Sequence, residues 1–204
     1  MLKIAVFVSG RGSNLKSIVN KIEEGEINAQ ISAVISNKVD CPALIFSKEK
    51  SFRTFVVSSV QTKDSISFNE LKKILIDFDI QLIVLAGFLK KIPDEFVDEF
   101  ENKIINIHPA LLPSFGGKGM YGMNVHNAVF NSSAKISGAT IHFVNKVYDE
   151  GKVIAQKCVD ISDVKSPEEI AERVLKIEHT LLPEVVKHFA EGKVKIENQR
   201  VVIK

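Results

Sequence analysis

Five short runs of mostly Ile, Val, Leu and Ala alternate with stretches whose apolar residues recur at helical spacing. The runs occupy residues 4–8, 31–35, 54–57, 82–86 and 104–108. Between them, Leu15, Ile18, Val19 and Ile22 mark one helix, and Pro42 opens a second that reaches about residue 49. Phe68, Leu71, Ile74, Leu75 and Phe78 form one face of a third helix, and Phe96 and Phe100 belong to a fourth. Near-continuous apolar strands are buried on both faces, as in a parallel sheet covered by helices. The alternation therefore predicts an α/β, Rossmann-like open sheet, parallel in its N-terminal half, with helices on both faces and ligands outside the carboxyl ends of the strands.

The pattern changes after Pro109. Pro113, Gly116, Gly117, Gly119 and Gly122 crowd residues 109–123, too many turn formers for regular structure. A loop of that length inside a compact domain is usually functional. A short helix is expected at about 124–130, then strands at 139–145 and 152–160 flanking the turn Tyr148-Asp149-Glu150-Gly151. The closeness of these strands predicts an antiparallel pair added late to the sheet. Ser166, Pro167 and Glu169 stand at the N-cap, N1 and N3 positions of a long helix ending near Gly192, with a small β tail after it.

With 204 residues, no repeat and no linker, one domain is expected, with a phosphate-binding βα half at 1–108 and a catalytic half at 109–204. The formal charge of +2 implies no nucleic-acid partner. Cys41 and Cys158 stand far apart, which excludes a disulfide scaffold or thiolate zinc ribbon and suits two reduced thiols in the cytoplasm. The first apolar run is too short for a signal peptide, and no segment approaches the ~18 apolar residues of a membrane span, so no membrane partner is expected.

Three stretches carry chemistry. Ser9-Gly10-Arg11-Gly12-Ser13-Asn14-Leu15 joins the first strand to its helix, and backbone amides freed by Gly at a helix N-terminus form an anion site. It is not a Walker A loop, and Leu15 stands where a dinucleotide loop has its third Gly, so a single phosphate fits better. The alternative is a bare turn capped by Ser or Asn. Asn106 and His108 share one strand face, and Pro109 ends the strand. An amide donor beside an imidazole suits holding an oxyanion and moving a proton, although a lone His is often structural. Asp149 is either a turn former or the carboxylate that orients His108. A metal held by His108, His142 and Asp149 would use the same groups, but no HExxH or close ligand spacing supports it.

In combination, Ser9–Leu15, Ala86-Gly87-Phe88-Leu89-Lys90-Lys91-Ile92, Asn106-Ile107-His108-Pro109-Ala110-Leu111-Leu112-Pro113, and Gly138-Ala139-Thr140-Ile141-His142-Phe143-Val144 followed by Asp149 resemble the phosphoribosylglycinamide formyltransferase family. The resemblance spans residues 1 to about 192. It implies transfer of a formyl group from 10-formyltetrahydrofolate, a co-substrate, to the amine of glycinamide ribonucleotide in purine biosynthesis, without a metal. By that resemblance Asn106, His108 and Asp149 are catalytic, with Asp149 keeping His108 charged. Gly12, Ser13, Asn14, Leu15 and Glu178 bind the ribonucleotide. Leu89, Lys90, Lys91, Ile92, Asn106, Asn145, Lys146, Val147, Tyr148 and Asp149 contact the folate. Loop 114–123, longer than in some members and followed by the familiar His126, is expected to be a mobile cover. Asp64 replaces an Arg that some members place near the folate tail, leaving Lys63 or Lys90 as substitutes. A monomer or weak homodimer is expected.

Methionyl-tRNA formyltransferases share the Asn-His-Asp set but normally add an RNA-binding domain, and little chain follows residue 192 here. Formyltetrahydrofolate deformylases use water as the nucleophile, need no phosphate loop and usually carry an N-terminal regulatory domain. A non-catalytic nucleotide-binding regulator is the alternative from another class, and the intact Asn106, His108 and Asp149 argue against it.

Overall fold

Val, Ile and Leu residues that are wholly buried build the strands of a mostly parallel sheet. The computed structural model describes residues 1–58 and 64–204; Lys63 lies outside the described residues. Among the described residues, seven strands form one mostly parallel sheet and two more form a separate hairpin. The chain divides into two compact units, Met1–Ile105 and Asn106–Lys204. Asn106 and His108, at the start of the second unit, make side-chain contacts with later residues.

In the first unit, β1 (Leu2–Val8), α1 (Ser13–Glu23), β2 (Ala29–Ser36), α2 (Pro42–Glu49), β3 (Thr54–Val56), α3 (Phe68–Asp77), β4 (Leu82–Leu85) and α4 (Asp94–Glu99) follow in turn, and β5 (Ile104–His108) begins. β1 pairs in parallel with both β2 and β4, and β2 pairs in parallel with β3. Ile4 to Val8 and Leu82 to Val84 are fully buried, which explains their unbroken apolar character. Phe7 packs edge-on against Phe88 and Phe96, with centroids 5.3 and 6.1 Å away, and Phe96 meets Phe68 and Phe100. Ser67 closes a full capping box with Glu70 at the start of α3.

The second unit holds the end of β5, then α5 (Met123–Asn131), β6 (Ile136–Phe143), β7 (Val153–Asp160), α6 (Pro167–Ala190), β8 (Val194–Glu197) and β9 (Arg200–Ile203). β6 and β7 are antiparallel, as their closeness predicted. β6 starts earlier than expected, since Ile136 already pairs with Asp160, and ends at Phe143, where the ladder breaks into the 144–152 connection. α6 carries the Ser166 cap on the Glu169 amide, while Glu169 accepts from Lys165 rather than from Ser166, so the capping box is only half made. Among the described residues no helix is long and apolar enough to cross a membrane.

Candidate active site

The second unit brings together the three residues expected to be catalytic. β5 ends on Asn106 and His108, and the 144–152 connection returns Asp149 to them. Asp149 has φ 58, a left-handed conformation that places it at the corner of its turn. Its Oδ2 lies 3.7 Å from His108 Nδ1, and its Oδ1 lies 3.6 Å from His142 Nε2. The His108 and His142 side chains are each 3% exposed, and that of Asp149 11%.

Hydrogen bonds to carbonyl oxygens settle the tautomers, because a carbonyl can only accept. His142 Nδ1 is 2.8 Å from the Phe143 oxygen and therefore carries its hydrogen. Its Nε2 accepts from Asn106 Nδ2 at 3.1 Å. That contact orients the Asn106 amide and leaves its oxygen and second N–H for a ligand. His108 Nε2 donates to the Phe115 carbonyl at 2.9 Å, so the Nδ1 facing Asp149 is bare unless the ring is protonated. Burial pushes the His108 imidazole below its ordinary value, and the pull of Asp149 does not fully offset this. Burial thus works against a charge on this ring, and Asp149 works for it. Burial also works to raise the Asp149 carboxyl, but the N–H that Gly117 donates to it and the attraction of a protonated His108 outweigh this and hold it below the usual range.

Residues 115–117 lie across this pair. Phe115 takes the hydrogen of His108, and the Gly117 N–H donates to Asp149 Oδ2 at 2.8 Å. Gly116 between them is closely packed, since a Cβ there would stand 2.6 Å from Leu112 Cδ2 and 3.1 Å from Asp149 Cβ and both side chains would have to shift. Thr140, fully buried on β6, donates to the Ala110 oxygen and accepts from the Leu112 N–H, which pins the chain leaving His108. His126, on α5, is also buried, and both burial and His108 lower its pKa. Although His108, His142 and Asp149 converge, among the described residues no group of three or more His, Cys, Asp or Glu is placed to hold a metal ion.

The first unit holds the expected anion loop. Gly12 is the N-cap of α1 at φ 73, and among the described residues no side chain caps this helix. The bare turn capped by Ser or Asn is thus not what forms, and the first-turn amides are left without an intrahelical partner. Leu15 is fully buried, so only its backbone can meet a ligand. Asn14 is largely buried and Ser13 half-buried. Ser9 donates to Asn37 Oδ1 at 2.6 Å and accepts from the Leu89 N–H at 2.9 Å, tying this loop to the expected folate segment. Within that segment Ile92 is buried, Leu89 and Lys91 are exposed with Lys91 paired to Asp94 at 2.8 Å, and Lys90 is half-buried.

Of the other expected residues, Glu178 is buried on α6. Asn145 accepts from the Val147 N–H, and Lys146, Val147 and Tyr148 are exposed on the connection that carries Asp149. Asp64 is exposed. His142 and the Phe115 carbonyl were missed as parts of the site; only the joint appearance of His142 with Asp149 in the metal alternative pointed to one of them.

Residues 2–186 match the formyl transferase family. The chain belongs to that family. It is 43% identical over 195 residues to the chloroplastic phosphoribosylglycinamide formyltransferase of Arabidopsis thaliana, covering 95% of this chain and 67% of that one. The phosphoribosylglycinamide formyltransferase of Haemophilus influenzae is 34% identical, with 97% of this chain and 92% of that one covered. Among solved structures, the phosphoribosylglycinamide formyltransferase of Anaplasma phagocytophilum superposes with a TM-score of 0.89 at 34% identity, covering 100% of this chain and 93% of that one. The mostly parallel sheet is thus that of a formyltransferase enzyme, and the chain spans about two thirds of the plant relative's length.

Proposed function

We propose that this formyltransferase moves the formyl group of 10-formyltetrahydrofolate to the amine of glycinamide ribonucleotide, its two compact units acting as one domain in the cytoplasm. The observation that supports the reading is the meeting of half-buried Asn106 and Asp149 with buried His108 in a chain of this family. The amine nitrogen attacks the formyl carbon, the carbonyl π pair moves to oxygen, and collapse breaks the bond to the folate nitrogen. Formylglycinamide ribonucleotide and tetrahydrofolate are the products. Asn106 and the His108 N–H hold the developing oxyanion in a site that water barely reaches, where such donors act most strongly. Asp149, against Nδ1, stabilises the imidazolium form of His108, whose Nε2–H points to the oxyanion. The proton lost by the attacking amine reaches the leaving nitrogen through His108 or a water.

In this account the Phe115 carbonyl occupies the position that the formyl oxygen takes, so the 114–123 cover withdraws when substrate binds. The amides of Gly12, Ser13, Asn14 and Leu15 hold the ribonucleotide phosphate at the positive end of α1, with Glu178 on the sugar or amine. Leu89, Lys90, Lys91, Ile92, Asn145, Lys146, Val147 and Tyr148 hold the folate.

The test is a spectrophotometric assay of folate release with and without glycinamide ribonucleotide. Turnover only with the ribonucleotide supports the proposal. Turnover without it means hydrolysis by water, and no turnover in either case removes the reading.

A further inference from the structure

The loop after β1 rests on the first turn of α2. The Gly10 carbonyl accepts the Cys41 thiol at 3.2 Å and the Ala43 N–H at 3.2 Å. Gly12, at φ 73, lies so close to this turn that a Cβ on it would stand 2.6 Å from Ala43 Cβ and 3.2 Å from Ala43 Cα. Cys41 is 1% exposed and Ala43 is fully buried, so both face the loop from below and neither is open to solvent. The approach works only because residue 12 has no side chain and residue 43 carries a single methyl.

We propose that Cys41 and Ala43 are positioning residues that set the shape of the anion loop and hence the affinity for the ribonucleotide phosphate. The inference rests on the proposed phosphate role of that loop. Anion binding by backbone depends on which peptide dipoles point at the ligand. A Gly10 carbonyl engaged by the thiol and by the Ala43 amide directs its negative end at α2. Released, that peptide is free to rotate and to turn an oxygen toward the phosphate. The methyl of Ala43 does the complementary work, since a larger side chain would push Gly12 upward and displace the amides of Ser13 and Asn14. Neither residue touches substrate in this account, so their effect belongs to ribonucleotide affinity and leaves folate affinity alone.

The experiment compares Cys41→Ala, Cys41→Ser, Ala43→Val and Ala43→Gly, each checked for folding by thermal melting. KM for glycinamide ribonucleotide, KM for the formyl folate and kcat are read, together with competitive inhibition by inorganic phosphate. Cys41→Ala is expected to raise the ribonucleotide KM and the phosphate inhibition constant by about 3–10-fold with the folate KM within about twofold of wild type. Cys41→Ser, which keeps a donor, is expected to return to within about twofold, while Ala43→Val exceeds Cys41→Ala at about tenfold or more. Ala43→Gly keeps the space and is expected to sit near wild type.

If Ala43→Val fails to fold, the contrast between Cys41→Ala and Cys41→Ser decides. Equal shifts in both KM values, or a folded Cys41→Ala protein with unchanged ribonucleotide KM, overturn the proposal. A wild-type protein inert toward the ribonucleotide defeats the functional reading instead, which separates the two failures.

Discussion

At the scale of single residues, the site depends on which nitrogen of each histidine carries hydrogen. His142 carries a hydrogen on Nδ1 because the Phe143 carbonyl demands a donor, and its Nε2 accepts from Asn106 Nδ2 and so aims that amide. Replacing His142 with Ala leaves Asn106 free to rotate, so kcat is expected to fall by about tenfold or more with both KM values little changed. Loss confined to KM would show that His142 serves binding instead. His108→Ala removes the proton carrier, and turnover is expected to drop by about 10²-fold or more while calorimetry still detects the ribonucleotide. A near-wild-type rate in that variant would remove His108 from the mechanism. Asn106, His108 and Asp149 could be picked from the sequence because a strand end and a turn expose polar groups in a regular way. The Phe115 carbonyl could not, since it depends on a left-handed φ of 57 in a loop without periodicity.

The elements deliver these residues through two close approaches. At the first, Gly151 lets the 144–152 connection fold back on the end of β6, where a Cβ would collide with the Phe143 carbonyl oxygen and stand 3.4 Å from His142 Nδ1. Gly151→Ala must therefore move backbone, and with it Asp149. It is expected to destabilise the protein by about 2–4 kcal/mol, measured by urea unfolding, and to slow turnover beyond what unfolded protein accounts for. A variant as stable and active as wild type would contradict the packing described. At the second approach, Gly12→Val places a branched side chain at positive φ against Ala43, and the ribonucleotide is expected to weaken more than the folate in equilibrium binding. Equal weakening would detach the loop from the nucleotide. Strand and helix identities were legible because period-2, period-3.6 and continuous apolar patterns differ. The ends of β6 were not, because a ladder stops where tertiary contacts stop it, here at Phe143.

For the whole molecule, burial of histidines makes stability depend on pH. His108 and His126 both titrate below the ordinary histidine value because burial disfavours the charged ring. Below about pH 6.5 the unfolded chain takes up protons that the folded protein refuses, so stability falls as acid is added toward the folded values. Asp149, also depressed, adds stability that is present above about pH 4 and lost only at lower pH. The melting temperature is expected to be higher at pH 7.5 than at pH 5.5, and His126→Gln should narrow that difference. An unchanged pH slope in the variant would show that His126 is not one of the buried groups responsible.

Composition and periodicity determined the class of fold, the alternation of strands and helices, the placement of Gly12 at a helix start and of His108 at a strand end. These follow from local rules: which residues pack on a buried strand, which end it, and which turn a chain. Tertiary structure alone decided that His142 aims Asn106, that residues 115–117 cap the His108–Asp149 pair, and that burial works against a charge on His108. Such properties depend on distances between residues remote in the chain and on how far water is excluded from them, and neither is written in the order of amino acids along any one segment.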